Sequence, residues 1–363
     1  MTNRGLYVHI PFCSHICSYC DFCKIIFDEK YVKSYLERLK EELESYKIKS
    51  FKSIYVGGGT PSSLNDEDLE TLLSMLRPYL EEDKPFAFEA NFENLTLSKI
   101  RLLKKYGVNR VSLGLQTFDQ DLLKTLNRHH DEKLVDEVLN NLHKEGIDDI
   151  NVDLIYGLPS QTLEMVKKDV NKLVSKNITH ISTYALSVVP HTLFYVNRVK
   201  EAPQETYREY YDYIVKALKE HGFNRYEVSN FAKKGYESKH NLIYWRNEEY
   251  LGIGLGAASY LDNKRFSNTK SLTKYLKGTL VEEEETLTKK DEEFYFLMLG
   301  LRLEEGVSLE EYKKKFNKDF IEAYKDKIKE LEERRLIQFI DGRIKVTEEN
   351  LFILDYVLDK LLF

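Results

Sequence analysis

The fold is decided by one N-terminal stretch, Leu6-Tyr7-Val8-His9-Ile10-Pro11-Phe12-Cys13-Ser14-His15-Ile16-Cys17-Ser18-Tyr19-Cys20-Asp21-Phe22-Cys23. An apolar run of strand length leads directly into a loop that carries cysteines at spacings of four and three residues. All 4 cysteines of the chain lie in this stretch. Because disulfides join distant segments, cysteines crowded together predict a metal centre in a reducing compartment, and we expect a cytoplasmic protein.

Apolar runs of strand length recur downstream, and amphipathic stretches of helical period follow them. The predicted strands are residues 6–11, 53–56, 85–90, 110–115, 150–155 and 180–186. The clearest helical stretches are residues 29–45, 66–80, 97–106, 132–145 and 163–175. Near-continuous apolar strands that alternate with helices predict a parallel sheet covered on its outside, and the number of units favours an open, partial (β/α)6 barrel.

The alternation of strand and helix changes after Pro203. We predict a barrel domain over residues 1–235, a connecting segment over 236–280, and a C-terminal domain over 281–363. The last part reads helix, strand, Asp341-Gly342 turn, strand and helix, which is typical of a small winged-helix-like unit. The predicted fold class is therefore α/β, a partial barrel followed by a smaller α+β domain.

Composition and charge exclude several classes of protein. A hydrophobic content of 42% with only 7 Pro indicates an ordinary globular chain. No apolar run approaches the roughly 20 residues of a membrane span, so we expect at most peripheral contact with a membrane. The net charge is −6, and the acidic excess lies in residues 281–363, which disfavours a nucleic-acid-binding tail.

The cysteine loop has two chemical interpretations. Three thiolates on one short loop, Cys13, Cys17 and Cys20, suit an iron–sulfur cluster in which one iron has no protein ligand. The alternative is a structural zinc site in a non-catalytic interaction protein, although such sites usually pair two Cys-x-x-Cys units far apart in sequence. Cys23 fits either a fourth ligand or a free thiol, and we favour the free thiol.

A glycine-rich turn, Gly57-Gly58-Gly59-Thr60-Pro61-Ser62, follows the second predicted strand. Glycines let backbone N–H groups approach a ligand closely, and Thr60 adds a hydroxyl. Such a turn is weak evidence by itself. Because barrels place their active sites at the C-terminal ends of their strands, we expect the turn to belong to the same site as the cysteine loop.

The two motifs together resemble one branch of the radical S-adenosylmethionine (SAM) superfamily, which contains oxygen-independent coproporphyrinogen III oxidase and the haem chaperones of the HemW family. The resemblance runs over essentially the whole chain. It implies a [4Fe–4S] cluster on Cys13, Cys17 and Cys20, whose open iron chelates SAM for reductive cleavage to a 5′-deoxyadenosyl radical. It also implies these SAM-pocket residues: Tyr7, Tyr19, Gly58, Gly59, Thr60, Glu89, Gln116, Arg128 and Asp153.

A second motif, His240-Asn241-Leu242-Ile243-Tyr244-Trp245, contains the only Trp of the chain. A buried histidine and a core tryptophan are the ordinary interpretation of such a string. Here it matches the HNxxYW signature of the haem chaperones, which implies haem binding by His240, Tyr244 and Trp245, since an imidazole ligates iron and aromatic rings stack on the macrocycle. Phe22 also favours the chaperones, because the oxidase has a cysteine at that position.

Two positions depart from the pattern of the resembled family. Val189 stands where an acidic residue usually precedes the proline, and Ala258 replaces a histidine. If that histidine normally assists haem or SAM, this chain binds one of them differently. His191 is then the candidate substitute ligand.

The leading hypothesis is a haem chaperone that binds haem and delivers it to acceptor proteins such as respiratory cytochromes. Its cofactors would be the cluster and SAM, and an electron donor would be a further partner. The alternative from the enzyme class is coproporphyrinogen III oxidase (dehydrogenase) of porphyrin biosynthesis, so the sequence leaves open whether the chain is an enzyme. The resemblance also allows a homodimer.

Overall fold

The predicted strands form the centre of the structure, a computed structural model that describes residues 4–363. The first three residues of the predicted barrel domain lie outside this range. The strands of the described residues are β1 (Gly5–Ile10), β2 (Phe12–Cys13), β3 (Ile25–Ile26), β4 (Ser53–Gly58), β5 (Phe86–Ala90), β6 (Arg110–Gln116), β7 (Asp149–Tyr156), β8 (His180–Ala185), β9 (Asn224–Arg225), β10 (Asn230–Ala232), β11 (Tyr250–Ile253), β12 (Ala258–Leu261), β13 (Lys264–Asn268), β14 (Val281–Thr286), β15 (Val307–Ser308), β16 (Ile337–Ile340) and β17 (Arg343–Val346).

Local sequence explains where several helices begin. Asp28, Asn65 and Thr162 precede helices and accept hydrogen bonds from backbone N–H groups of the first turn, which the helix itself leaves free. The helices are α1 (Glu29–Ser45), α2 (Asp66–Leu76), α3 (Leu97–Lys105), α4 (Gln120–Leu126), α5 (Glu132–Lys144), α6 (Leu163–Val174), α7 (Leu193–Val196), α8 (Gln204–Glu220), α9 (Lys239–Trp245), α10 (Leu272–Leu276), α11 (Lys289–Gly300), α12 (Leu309–Phe316), α13 (Phe320–Ala323), α14 (Lys325–Glu333) and α15 (Leu354–Leu362). Within residues 4–363, no helix has the length and apolar character needed to cross a membrane.

Six parallel strands form an open barrel. β1, β4, β5, β6, β7 and β8 pair in chain order, each parallel to the next. Side chains alternate between the two faces of a strand, so Ile54 and Val56 pack in the core while Tyr55 faces the interior cavity. The prediction of a partial (β/α)6 barrel is confirmed, and the observed strand bounds agree with the predicted ranges to within about two residues.

The large sheet extends beyond the barrel on both sides. β10 and β9 continue it beside β8, and β11 pairs parallel with β1 before β12, β13 and β14 continue antiparallel. Residues 236–280, predicted as a connection, thus contribute two helices and three strands. Residues 281–286, assigned from sequence to the C-terminal domain, form the edge strand β14. Glu284 of this acidic strand pairs with Lys264 of β13 at 2.7 Å, a partner that the local sequence does not reveal.

The C-terminal unit has a hydrophobic core of its own, which includes Leu297, Tyr312 and Leu331. β15, β17 and β16 form a three-stranded antiparallel sheet in this unit. Asp341 and Gly342 both have positive φ, as a tight two-residue hairpin turn requires. The predicted smaller α+β unit is confirmed.

A buried carboxylate ties the first helix to the late strands. Glu42 of α1 accepts hydrogen bonds from Gly254 N–H, Asn268 Nδ2 and Tyr275 Oη at 2.9, 2.6 and 2.6 Å. Burial raises the pKa of Glu42 above its ordinary value. Because its three partners all follow β11, this carboxylate fixes the added strands against the barrel.

Replacing Glu42 by Ala leaves three buried donors without their acceptor, and each such group costs about 1–3 kcal/mol. We expect Glu42→Ala to lower the free energy of unfolding in urea by roughly 3 kcal/mol or more. Glu37→Ala, at an exposed position of the same helix, should change it by less than about 0.5 kcal/mol. Equal effects of the two substitutions would contradict the structural role of Glu42.

Candidate functional site

The cysteine loop leaves the barrel at the end of β1 and is closed at its base. Ile25 N–H donates to Pro11 O and Phe27 N–H donates to Cys13 O, both at 2.8 Å, so β2 and β3 pair there. Cys13 is buried, and the other two predicted ligands, Cys17 and Cys20, are partly exposed. All three thiols line one cavity of about 110 Å³.

The glycine-rich turn packs directly against this loop. Thr60 Oγ1 donates to Cys13 Sγ at 3.4 Å. A Cβ on Gly59 would lie 2.6 Å from Pro11 O, closer than side chains approach in folded proteins, and 3.0 Å from Cys13 Sγ. Only glycine therefore allows the turn to run this close to the cysteines.

Glu89, at the end of β5, borders the same cavity and is held by two donors from β4. Tyr55 Oη donates to Glu89 Oε1 at 2.7 Å, and Gly58 N–H donates to Oε2 at 3.0 Å. A Cβ on Gly57 would lie 2.7 Å from this carboxylate. Burial raises the pKa of Glu89 to about 7, against the opposing effect of the two hydrogen bonds. Glu89 is therefore a buried acid that titrates near neutral pH.

The thiol donors fit an iron–sulfur cluster. Burial raises the pKa of Cys13 to about 11 and also raises that of Cys20, because it disfavours the charged thiolate. Metal binding stabilises the thiolates and so offsets this cost. Arg128 Nη1 lies 3.8 Å from Cys17 Sγ and places positive charge beside that sulfur. In the described part of the chain, no group of three or more His, Cys, Asp or Glu side chains is arranged to hold a single metal ion. Three thiols on one short loop that line a single cavity suit an iron–sulfur cluster.

Arg128 is almost completely buried at this cavity. Its Nη1 donates to Asn91 Oδ1 at 2.9 Å, and its Nη2 donates to Gly114 O. Its Nε–H is buried and has no hydrogen-bond partner among residues 4–363. A guanidinium with an unused buried donor suits a carboxylate ligand. Asn91, which orients Arg128, was not predicted from the sequence, although it follows Glu89 by two positions.

Tyr19, Gln116 and Asp153 line both this cavity and a larger one. Gln116 has a φ of +71° beside a register shift between β6 and β7. A residue with a Cβ is strained in this conformation, and such strain is common at ligand sites. Asp153 accepts a hydrogen bond from Asn151 Nδ2 at 2.7 Å, and burial raises its pKa.

Tyr7 and Cys23 are not among the residues that line these two cavities. The Tyr7 hydroxyl donates to His9 Nδ1 at 3.0 Å, and His9 Nε2–H donates to Cys23 O at 2.6 Å. The two hydrogen bonds that join Tyr7, His9 and Cys23 therefore hold the end of the cysteine loop against β1. Tyr7, predicted to contact SAM, has this supporting position in the structure.

The larger cavity, about 300 Å³, continues into the barrel interior. Its polar lining includes Ser112, Asn151 and His180, which the sequence analysis did not select. His180 Nδ1 lies 2.6 Å from Asn151 Oδ1, and burial holds the pKa of His180 well below its ordinary value. A signal existed for Asn151, because it precedes Asp153 by two positions, and residues two apart on a strand share a face.

Of the three residues predicted to bind haem, Trp245 lines a cavity beside the C-terminal unit, whereas His240 and Tyr244 are hydrogen-bonded to each other. His240 is buried, and its ring nitrogens lie 2.8 Å from Ser53 Oγ and 2.7 Å from Tyr244 Oη. Burial lowers the pKa of His240 to about 3. Trp245 faces the C-terminal unit, where the Arg302 guanidinium lies 4.6 Å from its ring. In the structure this motif connects β4 to the C-terminal unit.

The positions that depart from the resembled pattern lie in different places. Val189 lines the larger cavity, and His191 is exposed on the turn that follows it. Ala258 is exposed on β12, opposite Ser267. Of the two departures, Val189 is therefore the one that borders the site.

Six parallel strands around a cavity, with three cysteines and a glycine turn at its mouth, define a protein of the radical SAM class. Residues 7–173 match the family described as "Radical SAM superfamily", and residues 287–353 match the family described as "HemN C-terminal domain". A solved structure, "Coproporphyrinogen III oxidase (HemN) from Escherichia coli is a Radical SAM enzyme", covers 99% of this chain and 90% of its own with a TM-score of 0.87. At 22% identity this likeness concerns the fold.

Proteins of similar sequence assign the chain to one family within the radical SAM class. A protein of Lactococcus lactis named "Heme chaperone HemW" is 41% identical over 99% of this chain and 97% of its own length. The proteins of that name from Bacillus subtilis and Escherichia coli K12 are 36% and 31% identical over 96% and 85% of this chain, and the same shares of their own. The chain belongs to the HemW family of radical SAM proteins. Membership of the superfamily implies a [4Fe–4S] cluster and SAM as cofactors.

The glycine turn has two separable contacts, so two substitutions should have different effects. Gly59→Ala places a methyl group against the cysteine loop, and we expect low iron and sulfide content after anaerobic reconstitution. Gly57→Ala places one against Glu89, and we expect a normal cluster with SAM affinity lowered about tenfold or more in calorimetric titration. Equal loss of iron in both variants would contradict this assignment.

Proposed function

We propose that this protein is a haem chaperone that binds haem and passes it to haem-accepting proteins such as respiratory cytochromes. One observation carries the proposal: the 41% identity to a "Heme chaperone HemW" extends over 99% of the chain. The similarity therefore includes both the barrel and the C-terminal unit. The likeness to the oxidase structure concerns the fold alone, so it supports no oxidase activity.

We assign the cofactors to the adjoining cavities at the barrel mouth. The cluster belongs on Cys13, Cys17 and Cys20, and SAM belongs in the space bordered by Tyr19, Gly58, Gly59, Thr60, Glu89, Gln116, Arg128 and Asp153, with Tyr7 in support. Bound there, the cluster would supply the one-electron reducing chemistry that SAM cleavage needs, with an electron donor as the source of the electron.

The residues of the chain bind and orient the cofactor. The unused Nε–H of Arg128 suits the SAM carboxylate, and the carboxylates of Glu89 and Asp153 suit its ammonium or hydroxyl groups. Gly58 already directs its N–H to Glu89, which orients that carboxylate before SAM binds. The site is therefore polar, largely buried and held in place by its own hydrogen bonds.

In this proposal, the HNxxYW motif contributes to haem handling because it holds the C-terminal unit and the barrel together. His240 bonds Ser53 of the barrel, and Trp245 contacts Arg302 of the C-terminal unit. Arg302 in turn pairs with the buried Glu227 at 2.9 Å. The motif thereby fixes the C-terminal unit relative to the barrel that carries the cofactors.

Haem binding and transfer test the proposed function directly. We expect the reconstituted protein to bind about one haem per chain and to transfer it to a haem-free respiratory cytochrome, which regains its absorbance and activity. The same preparation, supplied with coproporphyrinogen III, SAM and a reductant, should form no protoporphyrinogen IX. Failure to bind haem, or turnover of coproporphyrinogen III, would refute the chaperone function.

Glu89 makes SAM binding depend on pH. Its pKa is about 7 in the free protein, so it is mostly protonated below that pH, and a ligand cation that needs the carboxylate must displace the proton. We expect SAM affinity to rise with pH by up to about tenfold per pH unit below pH 7 and to level off above it. Glu89→Gln should bind weakly with a flatter pH profile, whereas Glu37→Gln should match the unsubstituted protein. If the SAM affinity of Glu89→Gln depended on pH in the same way as that of the unsubstituted protein, the role of Glu89 would be contradicted.

A further inference from the structure

Lys24 stands at the end of the cysteine loop, where the backbone is held on both sides of it. His9 Nε2–H donates to Cys23 O at 2.6 Å, and Ile25 N–H donates to Pro11 O at 2.8 Å. The first bond connects the loop to β1, and the second begins the pairing of β3 with β2. The side chain of Lys24 therefore starts from a fixed position.

The side chain of Lys24 reaches back over the loop. Its Nζ donates to Cys20 O and, at 3.3 Å, to Phe22 O. Lys24 is partly buried, and it lines the same cavity as the three thiols. Its ammonium group is thus held beside the position to which we assign the cluster.

Two side chains that line this cavity are positively charged at neutral pH, Arg128 and Lys24. Arg128 is almost completely buried, and its unused Nε–H suits the SAM carboxylate, so a ligand would share its charge. The hydrogen bonds of Lys24 go instead to two uncharged carbonyl groups of the loop. The charge of Lys24 is therefore free to act on the thiolates.

The carboxyl groups of the cavity do not neutralise Lys24. Glu89 and Asp153 line the cavity, but each is bonded to the barrel strands. Glu89 accepts from Tyr55 Oη at 2.7 Å, and Asp153 accepts from Asn151 Nδ2 at 2.7 Å. When ionised, both carboxylates disfavour further negative charge in the cavity, and the ammonium of Lys24 opposes them.

The charge of Lys24 already acts on two of the predicted ligands. Burial raises the pKa of Cys20, and the Lys24 ammonium opposes this rise because it favours the thiolate. Burial raises the pKa of Cys13 to about 11, and Lys24 again acts in the opposite direction, with a smaller effect. Lys24 thus stabilises negative charge at the position assigned to the cluster.

Reduction of an iron–sulfur cluster adds negative charge to it. A positive charge nearby stabilises the reduced state more than the oxidised state, by Coulomb attraction. Net charge, hydrogen bonding and solvent exposure are the properties by which a protein sets the reduction potential of a cluster. A fixed, partly buried ammonium beside the thiolates has the position and the sign to raise that potential.

We propose that Lys24 is a charge-compensating residue that raises the reduction potential of the cluster and so favours its one-electron reduction. The electron comes from an external one-electron donor, and Lys24 neither gains nor loses a proton in the step. This inference rests on the cofactor assignment within the proposed function, and it concerns the cluster rather than haem.

A redox titration followed by electron paramagnetic resonance tests the proposal, with the reconstituted full-length protein in the absence of SAM. Lys24→Gln retains a hydrogen-bond donor but lacks the charge. We expect this variant to hold a full cluster, measured as iron and sulfide, whose equilibrium constant for reduction is lower by about threefold to tenfold. This change corresponds to a shift of roughly 30–59 mV to more negative potential.

Two further variants separate the local charge from other effects. Lys24→Arg retains both the charge and the donors, and it should keep the potential of the unsubstituted protein. Lys168→Gln removes the same charge at an exposed position of α6, and it should also leave the potential unchanged. An equal shift in Lys24→Gln and either of these variants would contradict the proposal.

The remaining outcomes distinguish the proposal from the cofactor assignment. If the unsubstituted protein assembles no iron–sulfur cluster, the cofactor assignment itself fails. If it assembles one and Lys24→Gln keeps the potential or makes it more positive, the role of Lys24 is wrong and the cofactor assignment stands. Loss of the cluster from Lys24→Gln would also overturn the proposal, because the three thiols and the bonds at the base of the loop remain in that variant.

Discussion

The rest of the site depends on the close packing of the glycine-rich turn against the cysteine loop. β1 and β4 are parallel neighbours in the barrel, so the segments that leave their C-terminal ends emerge side by side. Gly59 N–H donates to Ile10 O at 2.8 Å, an approach that a side chain at this position would prevent. This contact sets where the three thiols face. Glu89 from the next strand then meets the turn through Gly58, and the remaining strands bring their polar ends to the same edge.

The barrel interior is polar, yet it is removed from water. Burial raises the pKa values of Glu89 and Asp153 and lowers that of His180, because burial disfavours the charged form of each group. Glu89 and His180 are hydrogen-bonded to side chains of a neighbouring strand, and Asp153 is hydrogen-bonded to Asn151 of its own strand, which offsets the cost of burial. The site is thus arranged before any cofactor enters, and a charged ligand group meets partners that are already oriented.

The two histidines connected with haem differ in their surroundings rather than in their chemistry. His240 belongs to a recognisable motif, but both of its ring nitrogens are engaged inside the protein, where it joins a barrel strand to the helix that carries Trp245. His191 belongs to no motif of comparable specificity, and its side chain is exposed on the turn that precedes α7. The same side-chain type is thus enclosed by hydrogen-bond partners in one place and open to solvent in the other.

The sequence by itself determined the class of fold, because apolar runs and helical periods are local patterns, and it determined the cysteine loop and the glycine turn, because their residue spacing is local as well. The order of the six barrel strands also followed from the rule that successive parallel strands lie side by side. Tertiary structure alone decided the contacts between distant segments. Neither the pairing of β14 with β13, nor the role of Glu42, nor the bond between His240 and Ser53 could be predicted, since local sequence does not reveal the hydrogen-bond partners. Burial and long-range pairing are properties of the folded chain, and they separate a histidine that supports the barrel from one that is open to a ligand.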